Sequence, residues 1–89
     1  QLRGGMMTKT YTWIKDAGHA WLKVSKPEYL LSGFEASRYS YQDNNYVYLE
    51  EDMDAPKYLT LYQPNPGHIP TEHHNGMSPV RNLEKLGDE

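Results

Sequence analysis

The first quarter of the chain contains two stretches in which hydrophobic and polar residues alternate, the period-two pattern of a half-buried β-strand. These stretches span residues 8–14 and 19–24, and an aspartate and a glycine between them favour a turn. Pairing Trp13 with Ala20 in an antiparallel hairpin places the larger apolar side chains on one face and leaves Trp21 on the other. The pattern therefore predicts an opening β-hairpin.

A second hairpin is predicted from residues 37–42 and 46–50, which flank an Asp-Asn-Asn sequence. A three-residue loop over 43–45 pairs Tyr41 with Val47 and separates the apolar side chains from the polar ones. A two-residue turn at the two asparagines would mix the two faces. The pattern therefore favours the three-residue loop.

Two short helices are predicted, one after each hairpin. Ser25 is placed to cap the first helix, a proline and a glutamate occupy its first turn, and Gly33 is placed to end it. The second helix spans residues 55–62, and either Asp52 or Asp54 can cap it.

Beyond residue 62, prolines and glycines interrupt any regular element. We expect residues 6–62 to form an α+β core, a four-stranded and mostly antiparallel sheet of two hairpins with two short helices. Residues 63–89 are expected to form an irregular C-terminal strap with a flexible end, or a disordered tail. Residues 1–5 precede two methionines and are expected to be a cloning remnant or disordered.

The composition limits the core and excludes several classes of protein. With 89 residues the chain allows one domain, and with 37% hydrophobic residues and a mean hydropathy of −0.88 it relies on its 12% aromatic residues to build a core. The absence of cysteine excludes disulfides and thiolate sites. No apolar run approaches the roughly 20 residues that cross a bilayer, and no signal-peptide pattern is present. We therefore expect a cytoplasmic protein that does not bind membranes.

The net charge of −3 is distributed unevenly. Residues 1–27 carry five basic residues against one acidic, residues 28–54 one basic against seven acidic, and residues 55–89 three basic against four acidic. The three balances are +4, −6 and −1, which sum to −3. The basic residues do not cluster, so direct binding to nucleic acid is disfavoured, whereas the acidic middle could attract a basic protein surface.

The densest group of potential cation ligands is the acidic run Glu50, Glu51, Asp52 and Asp54. Its spacing departs from that of a calcium-binding loop, because Lys57 stands where such a loop requires glycine. A strand end followed by a helix N-terminus also accommodates these charges. We therefore expect no metal site and no cofactor.

Histidines could ligate zinc or act as bases near neutral pH, and the chain has four. They are His19, His68, His73 and His74. None has the His-Glu-x-x-His spacing, and neither a Gly-x-Ser-x-Gly sequence nor a phosphate-binding glycine loop occurs. We therefore predict a non-catalytic protein with no catalytic residue, and leave open whether the histidines converge in space.

The predicted outer face of the sheet is the best candidate for a binding surface, because exposed aromatic side chains are enriched at interaction hot spots. Together with the acidic run it gives a predicted binding set of Trp21, Tyr46, Tyr48, Glu50, Glu51, Asp52 and Asp54. The alternative, that the C-terminal strap covers the aromatic residues, is left open by the sequence.

Four short sequence motifs can be compared with those of known proteins. They are HAWL at 19–22, YSY at 39–41, YLEEDxDA at 48–55 and HxGxSPVRN at 74–82. In these motifs the chain resembles a family of small acidic proteins of bacteria, plasmids and phages, and the resemblance covers most of its length. The Tyr-Leu-Glu-Glu-Asp run is the most specific part. The resemblance implies an origin but no activity, and it implies that residues 78–81 belong to the fold.

These observations predict an accessory protein from a mobile element or a bacterium that binds a protein partner through the acidic and aromatic surface, for example as an inhibitor of a host enzyme. One alternative is a small metal-dependent hydrolase or nuclease that uses histidines and carboxylates. Another is a single-stranded nucleic-acid binder that uses the aromatic face. The chain is expected to be a monomer or a weak homodimer.

Overall fold

The computed structural model describes residues 10–87, which form an α+β fold. Its elements are β1 Thr12–Lys15, β2 Ala20–Ser25, α1 Lys26–Ser32, β3 Tyr41–Gln42, β4 Tyr46–Glu50, α2 Ala55–Tyr62, β5 Thr71–His73, a 3₁₀ helix Pro79–Asn82 and β6 Glu84–Lys85. The predicted α+β class and the two short helices are confirmed. The predicted four-stranded sheet is wrong in detail, because the described residues form a mixed six-stranded sheet in the order β5-β1-β2-β4-β3-β6.

Both edges of the sheet come from the segment after residue 62. β5 pairs in parallel with β1, with Ile14 opposite Glu72, and β6 pairs antiparallel with β3, with Tyr41 opposite Lys85. The segment expected to be an irregular strap therefore contains two strands and a 3₁₀ helix. Strands of two or three residues among prolines and glycines leave no alternation to detect in the sequence. The expectation for residues 1–5 falls outside the described residues.

The first hairpin forms with a register two residues away from the prediction. Trp13 lies opposite Leu22, and Ala20 lies opposite Lys15 rather than opposite Trp13. The strand continues to Lys15 because an aspartate-stabilised turn closes the loop directly after it. A shift of two residues preserves the faces, so Trp21 lies on the face opposite Trp13, as predicted.

The second hairpin forms with the two-residue turn that the sequence pattern disfavoured. Tyr41 lies opposite Tyr48 instead of Val47, and the Asp43 amide donates to the Tyr46 carbonyl at 3.0 Å. The Asp43 carboxylate also accepts the Tyr46 amide at 2.8 Å, which stabilises the tight turn. The prediction was wrong because it assumed that one face of the sheet meets solvent, whereas both faces are covered.

Both helices have the predicted extents, but only α1 has its predicted N-terminal cap. At α1, the Ser25 hydroxyl accepts the Glu28 amide at 3.3 Å, and Gly33 ends the helix with a φ of 75°. At α2, Asp54 precedes the helix but makes no capping hydrogen bond, and Asp52 lies outside the cap position, so the predicted side-chain cap is wrong. Within residues 10–87, no helix is long and apolar enough to cross a membrane.

Two apolar clusters cover the two faces of the sheet. The larger cluster packs strand residues against both helices and contains Tyr11, Leu22, Val24, Tyr29, Val47, Leu49, Ala55 and Tyr58. The smaller cluster lies under the 3₁₀ helix and contains Ile14, Trp21, Tyr48 and Val80. A chain with few aliphatic residues therefore adds tyrosine and tryptophan to its aliphatic core residues on both sides of one sheet.

Candidate functional site

The three aromatic residues of the predicted binding surface differ in their exposure to solvent. Trp21 and Tyr48 are buried, with 2% and 7% of their surface exposed, while Tyr46 is 37% exposed. The 3₁₀ helix covers the first two, with Val80 in their cluster and the Arg81 guanidinium 5.4 Å from the centroid of the Trp21 ring. Among the predicted aromatic residues, Tyr46 therefore remains available at the surface.

The acidic run is also divided between internal and external roles. Glu50 is buried, and its carboxylate accepts the amides of Asp52 and Met53 at 2.9 and 2.8 Å. Asp54 is buried, and its carboxylate accepts hydrogen bonds from the hydroxyls of Ser37 and Ser40. These two carboxylates hold the segment between the second hairpin and α2. Asp52 is exposed and Glu51 is half-buried, so the outward-facing part of the run is small.

A buried carboxylate attaches the strap to the first hairpin. The Asp16 carboxylate accepts the backbone amides of Gly18, His19 and Ser78, each at 2.9 Å, and it accepts Arg81 Nε at 2.7 Å and Nη2 at 3.0 Å. The bonds from Arg81, together with those from the three amides, hold the pKa of Asp16 well below its usual range although burial opposes the shift. The Asp16 carboxylate therefore connects the turn of the first hairpin to the 3₁₀ helix.

The histidines lie at separate places in the described part of the chain. His19 Nδ1 is 3.9 Å from Glu50 Oε2, and His74 Nε2 is 2.7 Å from Glu72 Oε2. The other two histidines are exposed. In residues 10–87, no three His, Asp or Glu side chains are grouped so that they could hold a metal ion.

A groove of about 630 Å³ lies where the first residues of β1 and the end of β2 meet α1 and the end of α2. Its lining includes Tyr46, which is exposed, Tyr62, which is half-buried, Tyr58, which is completely buried, and the side chain of Leu31. Leu31 is 88% exposed, and its neighbour Leu30 is also exposed. We call this concavity the tyrosine groove. It is an aromatic surface with an open apolar rim.

The polar centre of the tyrosine groove is the Glu28 carboxylate. The hydroxyls of Tyr11 and Tyr58 both donate to Glu28 Oε2, at 2.5 and 3.0 Å. Burial, followed by the hydrogen bond and charge of Glu28, raises the pKa of Tyr11, and burial together with the same carboxylate raises that of Tyr58. Both phenols therefore stay protonated and act as donors at neutral pH. Among residues 10–87, Glu28 Oε1 has no hydrogen-bond partner.

Sequence reasoning missed most of this groove. It assigned Glu28 to the cap of α1, because the residue lies three positions after Ser25, and it gave Tyr58 and Tyr62 no role beyond the second helix. These two tyrosines are four positions apart, a spacing that places both rings on one side of a helix. That spacing was the available signal for an aromatic wall.

No protein-family model matches the chain, and no curated protein or solved structure matches it significantly. The functional proposal therefore rests on the geometry of the described residues.

Proposed function

We propose that the chain is a small, non-catalytic binding protein that recognises a protein partner at the tyrosine groove. The observation that carries the proposal is Leu31, which is 88% exposed on the rim of a concave surface with Tyr46 and Tyr62 on its walls. An exposed leucine beside open aromatic rings is typical of an interaction hot spot, because association buries it in a preformed apolar pocket.

The proposed surface differs from the one expected from the sequence, and the two share Tyr46. Trp21 and Tyr48 pack under the 3₁₀ helix, while Glu50 and Asp54 bond to neighbouring backbone and serine groups. Their side chains therefore have partners inside the fold. The acidic and aromatic character of the expected surface is retained in the tyrosine groove, where Glu28 supplies the carboxylate.

Site-specific photo-cross-linking tests where a partner binds. A photoreactive phenylalanine analogue replaces Tyr46 in the groove or, as a matched control, Tyr39, which is exposed and does not line the groove. Because the sequence motifs imply a bacterial or mobile-element origin, the experiment is done in bacterial cells. We expect a discrete cross-linked protein from position 46 and none from position 39. The same products from both positions would contradict the proposal.

Two leucine substitutions then test how much the groove contributes to affinity. The partner identified by cross-linking is purified in its unmodified form and titrated with each variant. Leu31→Asp places a charge on the groove rim, and Leu61→Asp places one at another exposed helical leucine that does not line the groove. We expect isothermal titration calorimetry to show about tenfold or weaker binding for Leu31→Asp, the scale of a hot-spot loss, and affinity within about twofold of wild type for Leu61→Asp. Equal losses would place the interface elsewhere.

A further inference from the structure

The floor of the tyrosine groove is rich in hydrogen-bond acceptors. The Tyr11 and Tyr58 hydroxyl protons are both directed to Glu28 Oε2, and the Ser32 hydroxyl donates to the Tyr29 carbonyl at 2.6 Å. The donors nearest the carboxylate are therefore used internally. An anionic ligand would meet the Glu28 carboxylate there, whereas a cationic donor would meet an oxygen that has no partner among the described residues.

One cation does line the groove, but it is directed to another carboxylate. Lys23 Nζ lies 4.1 Å from the centroid of the Tyr46 ring, and its charge acts on Asp43. Partial burial opposes ionisation of Asp43, but hydrogen bonds from Tyr48 and two backbone amides, with the Lys23 charge, lower its pKa. No salt bridge joins Lys23 to Glu28 in residues 10–87. The Glu28 charge is therefore open to a cation from outside.

We infer that the partner inserts an arginine side chain into the tyrosine groove, with its guanidinium donating to Glu28 Oε1. This inference rests on the proposed function and specifies the chemistry of the partner. Burying a carboxylate against an apolar partner surface would cost free energy unless a cation accompanied it. Charge complementarity therefore selects a basic side chain as the occupant.

The walls favour arginine over lysine. Tyr62 is half-buried and lines the α2 side of the groove, and its ring centroid lies 5.2 Å from that of Tyr58, which is completely buried. A planar guanidinium can stack on the Tyr62 ring while it donates to a carboxylate, and its three-carbon stem can pack on Leu31. A lysine ammonium supplies the charge without the stacking. Lysine is therefore expected to bind more weakly.

The inference is tested on the full chain with defined small probes. Nα-acetyl-arginine methylamide is titrated while amide shifts of groove residues are followed by NMR, and the isosteric neutral citrulline derivative and the lysine derivative are titrated in parallel. We expect saturable shifts at the groove with arginine, weaker binding with lysine, and at least about tenfold weaker binding with citrulline, because charge-assisted hydrogen bonds are roughly twice as strong as neutral ones. Equal binding of arginine and citrulline would overturn the inference.

Glu28→Gln is the decisive variant, because it removes the charge while keeping a carbonyl oxygen that accepts the tyrosine hydroxyls. Its matched control is Glu35→Gln, which neutralises an exposed glutamate that does not line the groove. We expect arginine binding to fall about tenfold or more in Glu28→Gln and to stay within about twofold in Glu35→Gln. Unchanged binding in Glu28→Gln would also overturn the inference.

The two proposals fail in different ways. If Leu31→Asp weakens the protein partner but Glu28→Gln does not, the groove binds a protein without an arginine anchor, and the inference is wrong. If the arginine probe binds but Leu31→Asp leaves the partner unaffected, the proposed function is wrong. Sedimentation of the wild type tests the remaining possible occupant of the groove, a second copy of the chain. A dimer that Leu31→Asp abolishes would identify that occupant and overturn the inference.

Discussion

Two carboxylates lie among aromatic side chains in this fold, and their surroundings differ. Asp16 is completely buried and accepts five N–H groups, two of them from Arg81. Glu28 accepts two tyrosine hydroxyls on a single oxygen at the floor of an open groove. The strap closes the first site with a cation from the same chain. The second site has aromatic walls and a charge but no internal cation bonded to it among the described residues.

The comparison indicates that residue type alone does not distinguish a carboxylate that stabilises the fold from one that we propose binds a partner. Arg81, which bonds to Asp16, covers the Trp21 ring, whereas the Glu28 site, where Tyr58 donates to the carboxylate, opens to solvent. What distinguishes the sites is whether the chain itself supplies the counter-charge. A site completed internally stabilises the fold, and an incomplete site is available for a ligand.

The largest expected effect comes from breaking the completed site. Asp16→Ala leaves the Ser78 amide, which is buried, and the Arg81 guanidinium without their acceptor. We expect the free energy of unfolding to fall by about 3–5 kcal/mol, the cost of removing one partner of a buried ion pair. Urea denaturation followed by tryptophan fluorescence measures this change, because Trp21 lies under the strap.

Asp52→Ala is the matched control, since it removes an exposed aspartate side chain. It should change stability by no more than about 0.5 kcal/mol. A loss of less than about 1 kcal/mol for Asp16→Ala would show that the two sites do not differ in the way proposed.

The prediction of α1 from sequence succeeded because its signals are local. Ser25 and Gly33 act through hydrogen bonds and backbone conformation within a few residues, and the helix forms where they predict it. The positions of β2 and β4 and the extent of α2 were also predictable from local patterns. The Tyr41 pairing was not, because the assumption of one exposed face depended on how the rest of the chain packs.

The proposed binding site was less predictable than the fold, for the same reason. The strap that buries Trp21 is fixed by the bond between Asp16 and Arg81, residues 65 positions apart. The acceptor role of Glu28 requires Tyr58, which is 30 positions away. Neither pairing produces a periodic pattern or a short motif, so sequence reasoning could not separate covered aromatic residues from exposed ones.

A smaller effect is expected in the pH dependence of stability. The pKa of Asp16 is held below its usual range in the folded state, chiefly by Arg81, so its ionised form stabilises the fold. That contribution is complete above the unfolded pKa of about 4 and is lost as the pH falls below it. Between pH 4 and pH 2, Asp16→Asn should therefore lose less stability than the wild type.

Urea denaturation at several pH values measures this difference. Wild-type stability falls on acidification partly through other carboxylates, so the comparison of slopes, and not the wild-type curve alone, isolates Asp16. Parallel curves for the wild type and Asp16→Asn would show that the Asp16 carboxylate contributes no linked stability. The pH dependence of the free energy of unfolding would then come from other titratable groups.

The smallest expected effect is the most informative about function. Glu28→Gln keeps a carbonyl oxygen that can accept the hydroxyls of Tyr11 and Tyr58, and the side chain borders a solvent-open groove. We therefore expect the free energy of unfolding to change by no more than about 1 kcal/mol, the scale of one hydrogen bond. Urea denaturation of Glu28→Gln and Glu35→Gln side by side measures this change.

A loss of about 3 kcal/mol or more in Glu28→Gln would place Glu28 in the same class as Asp16, as a carboxylate that the fold requires. A near-neutral change, combined with loss of arginine binding, would have the opposite meaning. The charge of Glu28 would then be dispensable for folding and needed for recognition. Partner binding would then supply the cation that Glu28 lacks. In that respect the groove would correspond to the Asp16 site, where the cation comes from the strap of the same chain.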